Sequence, residues 1–326
     1  MGRVILACVG ILAAGPAAIA ENPSRPDSYL ADVWAWQAHD ARLMALAWRL
    51  TRTNAPFCAN AQPAIGLMLT DFHRFPRPAD VSAALGISSG IAIEAVAPAS
   101  PAATAGLRLG ETLLAVGGAA VSATPSALPK GRYPHDLAHD RIDAELARSG
   151  AVSLRLARPG EMARDVRLVG QAACRARFTL ISSGSAALSE GYVIRIAAPL
   201  MAEHPNDDEA ATMLAHELAH NILGHVAENN AKGRNYLTVR RNEREADRLS
   251  PWLMANAGFD PAAAPRFIAS WGPRHGGGIT RSQSHDGWQD RAEAMTQELS
   301  AISSARAGQA AGPLDWRARL PAIQRD

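Results

Sequence analysis

A glutamate set between two histidines four residues apart constrains this chain more than any other feature of its sequence. The segment is His216-Glu217-Leu218-Ala219-His220. On an α-helix, residues i and i+4 share one face, so two imidazoles can reach one cation. Glu217 is rotated off that face, toward the coordination position that the histidines leave open. A hydrolytic zinc site asks for this set: protein ligands, an open position for water, and a carboxylate to take the water's proton. Met213, Leu214, Leu218, Ile222 and Leu223 give the same helix an apolar side to bury. Asn206-Asp207-Asp208 supplies cap chemistry for its start, and the spacing predicts a helix from there to about Glu228.

A site of this type needs a third ligand. Downstream, Asn242-Glu243-Arg244-Glu245-Ala246-Asp247 lies in a predicted helix over 241–256, with Glu243 and Asp247 at i and i+4. One of these carboxylates can bind the metal, and the other can hydrogen-bond a ligand histidine and fix its tautomer. Glu245 points elsewhere and is expected on the surface. His225 is a competing ligand, but the metzincin pattern needs a glycine three residues after the second histidine and a histidine three further on. Leu223 and Val226 stand there instead, which leaves His225 for a helix face or for supporting a ligand. The bland alternative is two surface histidines on an ordinary helix.

The 326 residues are 48% hydrophobic and 20% charged, enough for a sizeable core and two domains. A formal net charge of +2 gives no reason to expect nucleic acid as a partner. Residues 1–20 read as a secretory signal: Arg3, an apolar run from Val4 to Ile19, and a small-x-small site at Ala18-Ile19-Ala20 before Glu21. No later run is long and apolar enough to cross a bilayer. The expected location is therefore exported, periplasmic or secreted, with an uncleaved signal as a possible membrane tether.

Residues 21–80 are expected to contribute a helix over Tyr29–Thr53 and a linker. Residues 81–172 change character, with short apolar runs between Gly and Pro turns. Strands are expected at 91–96 and 112–116, a helix at 136–148 capped by Gly150, and a hairpin of 152–157 with 162–169 around Pro159-Gly160. The stretch Val96 to Gly118, VAPASPAATAGLRLGETLLAVGG, resembles a PDZ domain. That resemblance implies a groove taking an extended peptide or a chain end, with Leu85, Gly86 and Ile87 at its carboxylate-binding loop. Signal removal would leave Cys58 and Cys174, which flank this segment and are expected to be disulfide-bonded.

From Ala173 to the end the chain is similar to the gluzincin metallopeptidases that include the CAAX prenyl proteases, HtpX, OMA1 and the BepA-type enzymes. The shared pieces are HELAH at His216, E-x-x-A-D at Glu243 to Asp247, AGFDP at Ala257 to Pro261, and His285 followed by Arg291. The family usually has His-Pro near the C-terminus, where this chain has His285-Asp286. The resemblance implies one Zn2+ held by His216, His220 and Glu243, Glu217 as base, Asp247 supporting a ligand histidine, and an accessory role for His285. It also implies cleavage of exported or envelope polypeptides in quality control, with the strand over 192–197 pairing with extended substrate. Domain order and the absence of membrane runs argue against an intramembrane site-two protease. The expected fold is α+β: a mainly helical zinc-peptidase domain over 173–326 with a small β-rich PDZ-like domain inserted. A PDZ adaptor or chaperone with a closed structural zinc site is the rival function.

Overall fold

The computed structural model describes residues 28–324 apart from 88–89, 123, 125–127, 130–131, 183, 185, 234, 276–285 and 310. The expected signal segment lies outside them. The fold is α+β, with two large apolar cores of different make-up.

Helix α1 (Ser28–Asn54) buries Leu43, Leu46, Ala47 and Leu50 in the first core. Its last residue ties three parts of the chain together. Asn54 Nδ2 donates to the Leu50 and Leu253 carbonyls, while its Oδ1 accepts from Asn256 and from Trp316 Nε1. The chain then builds the second core with β1 (Gln62–Ala64), β2 (Leu67–Asp71), α2 (Pro78–Leu85), β3 (Ile91–Val96), α3 (Pro101–Thr104), β4 (Thr112–Val116) and β5 (Ala119–Ala120). It continues through α4 (Pro134–Ser149), β6 (Ala151–Ala157), β7 (Arg164–Val169) and β8 (Gln171–Ala173). The main sheet runs β2-β3-β4-β6-β7, antiparallel throughout, with β5 beside β4. The expected strands, the 152–169 hairpin and the Gly150-capped helix are all present.

Entry to and exit from this lobe are adjacent. β1 pairs with β8, and Cys58 is bonded to Cys174, 116 residues later, with their Cα atoms 5.5 Å apart. The Cys174 amide also donates to Thr51 on α1. Gly66 opens β2 at φ +70°, where a Cβ would stand 2.3 Å from that of Ser100, so no side chain fits.

The rest of the chain completes the first core: β9 (Arg177–Ile181), β10 (Ala187–Ser189), β11 (Val193–Ala197), α5 (Ala198–Glu203), α6 (Asp207–Leu223), α7 (His225–Lys232), α8 (Tyr236–Asn256), α9 (Ala263–His275), α10 (Trp288–Ala307) and α11 (Leu320–Ile323). Here β11 is central, parallel to β9 and antiparallel to β10. Three expectations need correcting. The helix of the histidine pair ends at Leu223, because Gly224 adopts the left-handed conformation and turns the chain into α7. The helix expected over 241–256 begins earlier, at Tyr236, where the Asn235 side chain accepts from the Leu237 and Thr238 amides. Strand β11, expected to pair with substrate, has both edges taken, and the outer strands are β10 and β9. Among the described residues no helix is long and apolar enough to cross a membrane.

Candidate metal centre

Helix α6 carries His216 and His220 one turn apart, and α8 packs along it with Glu243 facing them. The two Nε2 atoms are 3.1 Å apart. Glu243 carboxylate oxygens lie 3.2 Å from His216 Nε2 and 3.6 Å from His220 Nε2. One atom from each residue falls within 4.8 Å of the others, so the three could hold a metal ion. The arrangement follows from helix spacing: both histidines lie on the α6 face toward α8, beside Ala215, Leu218 and Ala219, which are buried in the core.

Each histidine is backed at its other nitrogen. His216 Nδ1 is 3.1 Å from Asp247, whose carboxylate is gripped by the Arg291 guanidinium from α10 through contacts of 2.6 and 2.7 Å. Burial opposes charge on Asp247, but Arg291 and His216 outweigh it and hold its pKa at about 2. The same segment meets a local difficulty. Pro251 has no N–H for the carbonyl of Asp247 four residues before it, and the Ser250 hydroxyl donates to that carbonyl instead, at 3.0 Å. On the other arm, His220 Nδ1 is 2.9 Å from His225 Nδ1, and His225 Nε2 is 3.1 Å from Glu245. Glu245 is 5% exposed, which corrects the expected surface position. His225 reaches this position because the turn at Gly224 changes the direction of the helix. Burial lowers the His225 pKa, and the bond to Glu245 recovers only part of that shift. For His216, burial works against protonation, yet Asp247 and Glu243 raise its pKa to about 10.

Glu217 lines the cavity next to these residues. Burial raises its carboxyl pKa; His216, His220 and a hydrogen bond from the Ser189 amide pull the other way without cancelling it. That amide belongs to β10, which is fastened to α6 as well: the Ser189 hydroxyl donates to Asn221, and Asn221 Nδ2 donates to the Tyr192 carbonyl at 3.2 Å. The cavity has a volume of about 450 Å³. Its apolar lining includes Leu200, Met213, Phe267, Ile268, Trp271 and Met295, and β10 forms part of its wall.

His216, His220, Glu243, Glu217 and Asp247 are therefore brought together, as the motifs suggest. His285 lies outside the described residues; its neighbour Asp286 is bound by Arg240 and Arg244 of α8. Tyr236 is exposed at the start of α8. Leu85 ends α2, Gly86 caps it in the left-handed conformation, and Ile87 is buried with Phe72, Val81 and Ala92. A cleft lies between β2 and α4 of the lobe and α1 and β9 of the body, lined by Gly66, Leu67, His139 and Ile142 together with Trp48 and Phe178. His139 Nε2 accepts from the Leu69 amide there, at 3.1 Å. Residues that sequence reasoning missed are Glu245, Asn221 and Ser189. The signal for Asn221 was its place directly after His220 in an otherwise apolar stretch.

Comparison with family models, with curated proteins and with solved structures returned no match.

Proposed function

We propose that the chain is an exported zinc-dependent endopeptidase, with His216, His220 and Glu243 as ligands and Glu217 as the proton carrier. One observation carries this reading: a three-donor cluster and a separate, half-buried carboxylate share a cavity large enough for a substrate side chain. The donor set suits zinc. Ligand atoms about 2.1 Å from a tetrahedral zinc stand about 3.4 Å apart, close to the 3.1, 3.2 and 3.6 Å separations present. Among the described residues three donors face the site, which leaves a position open, as catalytic rather than closed structural sites do. Bound zinc would supply Lewis acidity, acidifying water and polarising a carbonyl.

The chain's own residues do the rest. Glu217, whose pKa is raised, accepts a proton from water and returns it to the leaving amine nitrogen. Asp247 orients His216, and Arg291 keeps Asp247 anionic within the core. Strand β10 can take an extended backbone along its outer edge, which suits a polypeptide substrate. The apolar lining suits a large apolar side chain next to the scissile bond. The disulfide favours maturation in an oxidising compartment, consistent with export. A PDZ-like role for the β-rich lobe belongs to the same proposal, with one requirement. A peptide added to β2 must displace His139 from the Leu69 amide.

Metal analysis combined with casein cleavage tests the proposal. The purified protein should carry one zinc per chain, lose cleavage on treatment with a chelator, and regain it on return of zinc. Zinc bound without cleavage of any polypeptide would turn the reading toward an adaptor with a structural metal.

A further inference from the structure

The two ligand histidines are supported in different ways. His216 meets a carboxylate directly, at Asp247. His220 meets another imidazole, and the carboxylate stands one residue further back: Glu245, His225, His220, with contacts of 3.1 and 2.9 Å. We propose that Glu245 and His225 are positioning residues that set the tautomer of His220, so that its Nε2 is bare and faces the metal. This rests on the reading of His216, His220 and Glu243 as metal ligands.

The argument follows donors and acceptors along the chain of contacts. The Glu245 carboxylate, which is also ion-paired with Arg241 at 3.2 Å, can only accept from His225 Nε2. A neutral imidazole carries one proton. With that proton on Nε2, His225 Nδ1 is an acceptor, and the 2.9 Å contact requires His220 Nδ1 to donate. His220 then carries its proton on Nδ1 and presents a lone pair at Nε2. Reversing any contact would protonate His220 Nε2 and close it to a cation. Neither residue touches the three-donor cluster through a metal-binding atom, so both act through His220. Both are buried, His225 at 2% and Glu245 at 5% exposure, so water does not compete for these bonds.

The Glu245→Gln substitution is the informative one, because it keeps shape and size. Arg241 beside Oε1 draws the amide oxygen toward itself, which turns the NH2 group toward His225 and reverses the order of donors. Zinc affinity, read by competition with a chromogenic chelator, should fall 10- to 100-fold, the usual cost of losing an outer partner of a metal ligand. In a His225→Gln background the same substitution should cost nothing further, since the connection to His220 is already cut; purely structural effects would add. A second measurement needs no variant. Histidine-selective 15N NMR of the zinc-loaded wild-type protein should report His225 protonated on Nε2 and His220 protonated on Nδ1.

The opposite tautomers in the wild type, additive costs, or a Glu245→Gln protein that binds zinc within about threefold of wild type would each overturn the proposal. A wild-type protein that binds no zinc at all would instead remove the metal-centre reading on which it rests.

Discussion

The helical body and the β-rich lobe use their interiors differently. The lobe's larger apolar cluster is aliphatic: Ile65, Leu69, Ile93, Leu113, Ile142, Leu154 and their neighbours include no aromatic ring. The body's core includes Trp252, Trp316, Phe178 and Phe267, and ion pairs are buried beside it. Glu298, with no exposure, accepts from Arg248 Nε, Arg319 Nε and Trp252 Nε1 at 2.9 to 3.0 Å. Asp247 and Arg291 form a second such group. Buried ion pairs add little net stability over apolar packing, but they are costly to break and they fix orientation. The body thus accepts vulnerability to hold polar side chains in place, around the cavity where fixed polar groups have a use. The lobe buries Glu94 and Glu111 too, but away from that cavity.

The largest test of this contrast acts at the junction between the two. The Cys58–Cys174 bond closes a loop of 116 residues. In the chain-entropy account, replacing both cysteines by serine should cost about 4 to 5 kcal/mol. Denaturant unfolding should then show the lobe and the body coming apart in separate steps. Next in size is Glu298→Gln, which leaves Arg248 buried beside a neutral partner and should destabilise the body by about 3 to 5 kcal/mol. Burial pushes the Glu298 pKa up, but its three donors win and the net shift is downward. A carboxyl lowered by folding stabilises fully above its unfolded pKa of about 4.3, and that contribution is lost as pH falls through the lower folded value. Acid unfolding of the body should therefore flatten in the Gln variant.

A smaller effect is expected where the lobe is clamped to the body. Arg177 on β9 contacts Asp140 and Asp143 of α4 at 2.9 and 2.7 Å. Arg177→Met should cost about 2 kcal/mol and speed amide exchange along α4. The smallest belongs to the lobe itself. Glu111 is buried, but its partner Arg164 is 40% exposed, so Glu111→Gln should cost about 1 kcal/mol or less. A cost at Glu111 equal to that at Glu298 would erase the contrast between the two regions.

The same contrast explains what could be read in the sequence. The strands over 91–96, 112–116 and 152–157 were legible because alternating small apolar runs between glycines have few ways to fold. His216 and His220 were legible from helix geometry alone, and so was the pairing of Glu243 with Asp247. Glu245 was not. A glutamate two residues from another on a helix reads as solvent-facing, yet Asn242, Glu245, Ala246 and Leu249 are all buried, so α8 is covered on more than one side. The bend at Gly224 was hidden for a related reason: the apolar and polar spacing continues across it, and only the glycine itself marked the change. A peptide groove was expected at Leu85–Ile87, where a glycine caps a helix and Ile87 is buried, while Gly66, close against Ser100, borders a cleft between lobe and body that spacing along the sequence does not mark.

The central claim is that Glu217 moves protons beside a metal held by His216, His220 and Glu243. The direct measurement is zinc content and casein cleavage of the wild-type protein beside Glu217→Gln. The account predicts equal zinc in both proteins and cleavage reduced by about 10²- to 10⁴-fold in the variant. A Glu217→Gln protein that keeps its zinc and cleaves at the wild-type rate would contradict it.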